Sequence, residues 1–174
     1  TAYVEAASTA RLHGRSDDLA LAALGLGAGL GGFEVSLFDH VQIELLEEAL
    51  GAIDSVDSPR RAQLLSRLSV ALSFVSEERR LGLATEAVAM ARRLGDGLTL
   101  GYALAAYCDA ISGPTHSEAR RDAAAEVVSL GVRAGERRLE LLGRRLLLAA
   151  LLELGEIADV DAQIRAFGAA ADTI

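Results

Sequence analysis

The stretch LALAALGLGAGLGGFEV, residues 19–35, decides between two folds. Within it, GAGLGG (27–32) sets Gly27, Gly29 and Gly32 at the G-x-G-x-x-G spacing of a dinucleotide-binding loop, and Asp54 follows at about the distance of a ribose-binding acid. Such a loop requires a strand before it and a helix after it. DDLALAALGL (17–26) contains no β-branched residue and places Ala and Leu at helical spacing, whereas FEVSLFDH (33–40) reads as a connector. The glycines are therefore read as a glycine-rich helix end, packed against a neighbour and stopping by Gly31–Gly32. Asp54 then belongs to the end of the following helix.

Outward from this stretch the chain repeats. EAASTARLHG (5–14), EALGAIDSVD (48–57), EAVAMARRLG (86–95) and EVVSLGVRAG (126–135) align, their leading glutamates 43, 38 and 40 residues apart. Three close with glycine and the second with Asp57; an apolar run follows each. One unit is about 40 residues. Small residues recur eight places after three of these boundaries, at Ala22, Ala103 and Gly143, where they let helices approach closely.

Each unit holds two helical patterns. Leu81, Ala84, Val88, Ala91 and Leu94 form one apolar stripe; Leu46, Ala49, Leu50 and Ile53 form another; Leu100, Ala103, Leu104, Tyr107 and Ile111 form a third. Gly95 and Gly135 suit C-terminal caps. Asp57 and Ser58 before Pro59 mark a helix start, Asp39-His40 another, and Gly113-Pro114 a break that puts His116 in a turn. Clean period-two alternation is missing, so no strand is expected. The map predicts helices over 2–13, 16–30, 39–53, 58–75, 77–94, 96–112, 116–134, 136–154 and 156–171. A helix pair cannot bury its stripe alone, whereas stacked pairs can. The expected fold is all-α: an α-solenoid of about four antiparallel helix pairs plus one leading helix, with a period of about 40 residues. Residues 1–174 read as a single repeat domain, and the mid-helix start at Thr1 reads as a piece of a longer protein.

Composition narrows the chemistry. The chain is 51% apolar and 24% charged, the balance of a folded globular domain. It has no Lys and no Asn, and all 17 basic residues are Arg, which suggests GC-rich coding in a bacterium. Without lysine there is no P-loop lysine, Schiff base or Ser-Lys dyad. A net charge of −8 disfavours direct nucleic-acid binding. A lone cysteine, Cys108, precludes an internal disulfide and suits the cytoplasm. The longest apolar run, Leu19–Phe33, is too short to span a bilayer, so no membrane association is expected.

The runs at 19–50, 60–106 and 112–156, and most of all ARRLGDGLTLGYAL (91–104) and SGPTH (112–116), resemble the tetratricopeptide-like arrays of large actinobacterial signalling proteins. These are the LuxR-type ATP-binding (STAND/AAA-like) transcriptional regulators and related proteins, some of them cyclase-linked. The resemblance implies a solenoid downstream of an ATPase, serving as sensor, inhibitor-docking surface or oligomerisation element. The chain departs from ordinary tetratricopeptide repeats: its period is nearer 40 than 34, and Leu or Ala fills most aromatic signature positions. No ATPase or helix-turn-helix residue carries over.

Catalytic motifs are missing: there is no G-x-S-x-G and no HExxH, and His13, His40 and His116 lie far apart. No enzyme activity, metal or cofactor is expected. Cys108 beside Tyr107 reads as a small core residue. Six Arg pairs recur near helix ends and read as solvated or dipole-pairing. Arg67 and Arg144 differ, because each sits in a very apolar helix and needs a partner or a groove. With Tyr107 they come from consecutive first helices. They are the candidate ligand- or partner-binding residues, forming a groove for an acidic or amidated partner; the alternative is that each Arg pairs with a nearby acid. The expected role is a non-catalytic sensor or protein-interaction domain, binding a protein partner, other domains of its own chain or a small effector. Alternatives are a homo-oligomerisation scaffold and a small-molecule pocket around the glycine-rich stretch.

Overall fold

Four helix starts are capped by hydroxyl or carboxylate side chains. Asp39 accepts from the Gln42 amide, and Ser58 from the Arg61 amide with Pro59 in the first turn. Asp96 accepts from the Leu98 amide and Glu136 from the Arg138 amide. Gly95, Gly135 and Gly155 close three helices at φ of 69°, 65° and 74°, a left-handed turn that a Cβ would disfavour.

The computed structural model describes residues 2–28, 39–73 and 75–171. Among them it holds nine α-helices and no strand: α1 (Ala2–Leu12), α2 (Ser16–Gly25), α3 (His40–Ala52), α4 (Pro59–Ala71), α5 (Glu77–Leu94), α6 (Gly97–Ala110), α7 (Ser117–Ala134), α8 (Arg137–Leu154) and α9 (Ile157–Ala171). A single 3₁₀ turn, Pro114–His116, carries the expected break. The fold is all-α. Among the described residues no helix is long and apolar enough to cross a membrane.

Two helices stop earlier than their periodicity predicts. α2 ends at Gly25 rather than near residue 30, because the Leu26 and Gly27 carbonyls leave the helix for side chains of α3 and α4. Gly29 and Gly32 of the G-x-G-x-x-G spacing, and the expected stop at Gly31–Gly32, lie outside the described residues. α4 ends at Ala71 rather than near 75, where the Ser73 hydroxyl donates to the Val70 carbonyl at 2.7 Å.

Each helix packs on the next, and a second set of contacts separates two layers. The even helices touch directly in succession, α2 with α4, α4 with α6 and α6 with α8; among the described residues no two odd helices pack as closely. The core follows the chain. Leu46, Leu64, Leu68 and Leu72 centre its first part, Leu65 and Met90 the second, Val127, Leu139 and Leu142 the third, and Cys108, Leu147 and Leu151 the last. Burying each such leucine contributes about 1.5–3 kcal/mol. α4 is the most enclosed element, with α2, α3, α5 and α6 around it, and every residue from Leu64 to Leu72 is buried. Its buried hydroxyls are satisfied: Ser66 Oγ donates to the Ala62 carbonyl and Ser69 Oγ to the Arg80 carbonyl, both at 2.8 Å.

The small residues sit where backbones meet. Ala22 and Ala103 are buried, and Gly143 lies so close to α7 that a Cβ there would stand 2.8 Å from the Val128 nitrogen. Gly131 on α7 meets Glu140 of α8 in the same way. Gly143 therefore serves the approach to the helix before it.

Candidate functional site

The three residues singled out by their apolar surroundings fall on α4, α6 and α8, helices in direct succession. Arg67 is 7% exposed among Leu64, Leu65 and Leu68. Its Nη2 donates to the carbonyls of Leu26 (3.4 Å) and Gly27 (2.9 Å), and Gln42 Nε2 also reaches the Leu26 carbonyl at 2.7 Å. A buried cation thus fastens the turn that ends α2, and its burial holds its pKa below the usual arginine value. Tyr107 is half-buried on α6. Arg144 donates through Nε to Glu140 Oε1 at 3.0 Å and through Nη1 to Gln163 Oε1 on α9 at 2.9 Å. The structure puts these residues on neighbouring helices and gives each guanidinium a partner within the chain.

Two other arginines, which belong to the Arg pairs expected to be solvated, are as deeply placed. Arg80 and Arg120 stand 40 residues apart, in the first turns of α5 and α7. Arg80 Nη2 donates to the Asp109 carbonyl at 2.8 Å and its carboxylate at 2.5 Å, so a cation meets the C-terminal end of α6. Arg120 Nη1 reaches both oxygens of Glu153 at 2.6 Å, and the Ser117 hydroxyl donates to the same carboxylate at 2.7 Å. The Nε of each is buried and has no hydrogen-bond partner among the described residues. In each Arg-Arg pair one member is buried and the other reaches an outer acid, Arg79 to Glu47 and Arg121 to Glu156. The 40-residue offset sets them apart from Arg79 and Arg121 in the sequence, although the exposed Arg93 and Arg133 share it. Arg80 also lines a cleft of about 390 Å³ with Ser76, Glu77 and Ser112, while a cleft of about 430 Å³ between α1 and α2 is lined by Tyr3, Ala6, Ala10 and Leu21.

Glu140 is the buried acid of the set, 4% exposed, between Arg137 and Arg144. Burial pushes its carboxyl up, but the hydrogen bonds from Arg144 and Arg137 outweigh it and hold it below the ordinary value of 4.5. Glu153 is held low by the Ser117 hydroxyl and then by Arg120. The folded chain therefore binds these protons less readily than the unfolded one. Their contribution is complete above about 4.5 and is lost as pH falls through the lower folded values. The thermal midpoint is expected to hold between pH 7 and 5 and to drop below that, with the drop shallower in Glu140→Gln. A drop of unchanged steepness in that variant would remove Glu140 from the account.

Cys108 lies in the core with its Sγ 3.7 Å from the Arg120 carbonyl, and burial pushes its thiol up to about 12. Against an exposed thiol this lowers the thiolate fraction roughly a thousandfold. Labelling by a disulfide reagent at pH 8 is expected to be at least that much slower in native than in guanidine-unfolded protein; comparable rates would contradict the burial. Among the described residues no group of three or more His, Cys, Asp or Glu is placed to hold a metal ion. Comparison with family models, with curated proteins and with solved structures finds no match for this chain.

Proposed function

We propose that the chain is a non-catalytic helical-repeat module, a tetratricopeptide-like α-solenoid of about 40-residue period that binds a protein segment or small effector on the concave face formed by its even helices. Binding there would shift the activity of a cytoplasmic bacterial signalling or transcriptional regulator of the LuxR type. The observation that carries the reading is a set of equivalent interactions at one offset. The caps Asp96 and Glu136, the glycines Gly95 and Gly135, and the buried Arg80 and Arg120 each differ by 40. Ser69 donates to the Arg80 carbonyl as Cys108, 39 residues on, does to that of Arg120. The direct packing of even helices supports a continuous inner face.

Arg67, Tyr107 and Arg144 are the proposed contacts. An acidic or amidated ligand would draw Arg144 from Glu140 and Gln163. Fluorescence anisotropy with acidic and C-terminally amidated peptides tests the groove. Tyr107→Ala and Arg144→Ala are expected to weaken binding at least tenfold with the fold retained. Unchanged affinity in both ends the proposal for this face. Arg67 also holds the α2 turn, so its variants are read only beside a melting curve.

Exposed apolar residues favour one second reading, the oligomerisation scaffold. Tyr3, Val4 and Leu21 lie on α1 and α2, and Leu152, Ile157 and Ile164 on α8 and α9. A mass that rises with concentration in light scattering supports it, and a constant monomer mass rejects it. The third alternative, a small-molecule pocket, was expected around the glycine-rich stretch 27–32, of which 29–32 lie outside the described residues.

A further inference from the structure

Neighbours within the two layers meet in different ways, although the odd helices pack on the even ones through the same apolar core, Met90 of α5 and Val127 and Leu130 of α7 among them. The even helices pack through buried apolar side chains. Consecutive odd helices are joined at each step by an arginine and a carboxylate. Arg11 reaches from α1 to Glu48 of α3 at 2.5 Å, and Arg79 from α5 to Glu47 of α3 at 2.6 Å. Arg92 reaches from α5 to Glu126 of α7 at 2.8 Å, and Arg121 from α7 to Glu156, the residue before α9, at 3.1 Å. Each interior odd helix is held from both sides. Adjacent Glu47 and Glu48 on α3 face opposite neighbours, and on α5 Arg79 reaches back while Arg92 reaches forward. A fifth pair, Arg93 with Asp57, ties α5 to the α3–α4 connection. These side chains are between 34% and 57% exposed.

We infer that this ladder is a charge-sensitive brace: it sets the spacing of the odd helices, so ionic strength opens the odd-helix face while the even layer stays closed. Exposed pairs are screened as the Debye length falls from about 10 Å at 0.1 M salt to about 3 Å at 1 M. Apolar burial does not weaken with added salt. The two layers therefore respond differently to one variable, and the array bends instead of melting. Screening of the net charge of −8 acts on the whole chain and does not single out one layer. The inference stands on contacts between helices and does not depend on what the even-helix face binds.

The test is distance measurement by electron spin resonance on nitroxide pairs in a Cys108→Ala background. Ser8→Cys with Thr85→Cys, and Thr85→Cys with Ala162→Cys, report the odd helices. Asp17→Cys with Leu98→Cys, and Leu98→Cys with Arg145→Cys, report the even ones. Between about 0.1 M and 1 M NaCl the odd-helix distances are expected to lengthen and broaden, with the even-helix distances and the helical circular dichroism unchanged. Arg92→Glu is expected to widen the Thr85–Ala162 pair already at low salt, and added Glu126→Arg to restore it. Odd-helix distances indifferent to salt, or both layers moving together, overturn the inference. Where Arg92→Glu does not fold, the salt titration of the parent chain decides alone.

Discussion

Replacing Glu153 with alanine is expected to cost about 3 kcal/mol of folding stability. The reason lies in what is left behind. Arg120 has a side chain 9% exposed, and the hydrogen bonds of its Nη1 go to the Glu153 carboxylate. Its Nε already has no hydrogen-bond partner among the described residues. Without the acid, a full charge stays in the α7–α8 interface with nothing to offset its desolvation. The Glu153 side chain is itself 34% exposed, which admits some water and places the effect at the lower end for a broken buried pair. Two companion variants separate the causes. Glu126→Ala breaks the exposed pair with Arg92 and is expected to cost only about 0.5 kcal/mol. Arg120→Met added to Glu153→Ala removes the stranded charge and should recover most of the loss. Urea unfolding followed by circular dichroism measures all three. If Glu153→Ala costs no more than Glu126→Ala, the Arg120 guanidinium has found water and is not buried in the interface.

The second large effect is a change of sign between two glycines of the same secondary structure. Gly131→Ala puts a methyl 2.5 Å from the Glu140 nitrogen and 2.8 Å from its Cα. Both are atoms of the α8 backbone, one turn from the α7–α8 connection, so no rotamer relieves the clash and the helices must separate. Overpacking of this kind costs about 1–3 kcal/mol, more than the roughly 1 kcal/mol that alanine gains over glycine in a helix. At Gly82, on the exposed side of α5, an added methyl would meet nothing within 4 Å. Gly82→Ala is therefore expected to stabilise by about 0.5–1 kcal/mol. Thermal midpoints moving in opposite directions support the packing; a Gly131→Ala midpoint equal to the parent's would show that α7 and α8 lie further apart than these distances require.

Helix existence was readable from the chain because the apolar stripes carry their own period and several helices their own caps. Ser58-Pro59, Asp39, Gly95 and Gly135 act within four residues of themselves, and all four sit where local chemistry places them. The end of α2 was not readable, since Gln42 and Arg67 take its carbonyls from 16 and 41 residues away. The candidate site divides in the same way. Arg67 and Arg144 stood out by their apolar neighbours in sequence. Arg80 and Arg120 did not, because each sits beside a second arginine in the first turn of its helix and is buried only by residues of α6 and α8. Periodicity along one helix cannot distinguish such an arginine from its solvated neighbour. An offset of 40 separates Arg80 and Arg120 from Arg79 and Arg121, whose counterparts are Ala119 and Leu81, but the exposed Arg93 and Arg133 share it, so burial itself is not written in the sequence.

The enclosure of α4 sets an order of events in time. A helix covered by four others cannot lose its amide protons to solvent by fraying; α2, α3, α5 or α6 must first let go. α1 and α9, which have fewer neighbours, can open while the rest stands. Deuterium uptake along α4 thus clocks the release of one of these neighbours, and uptake in the terminal helices clocks only their own.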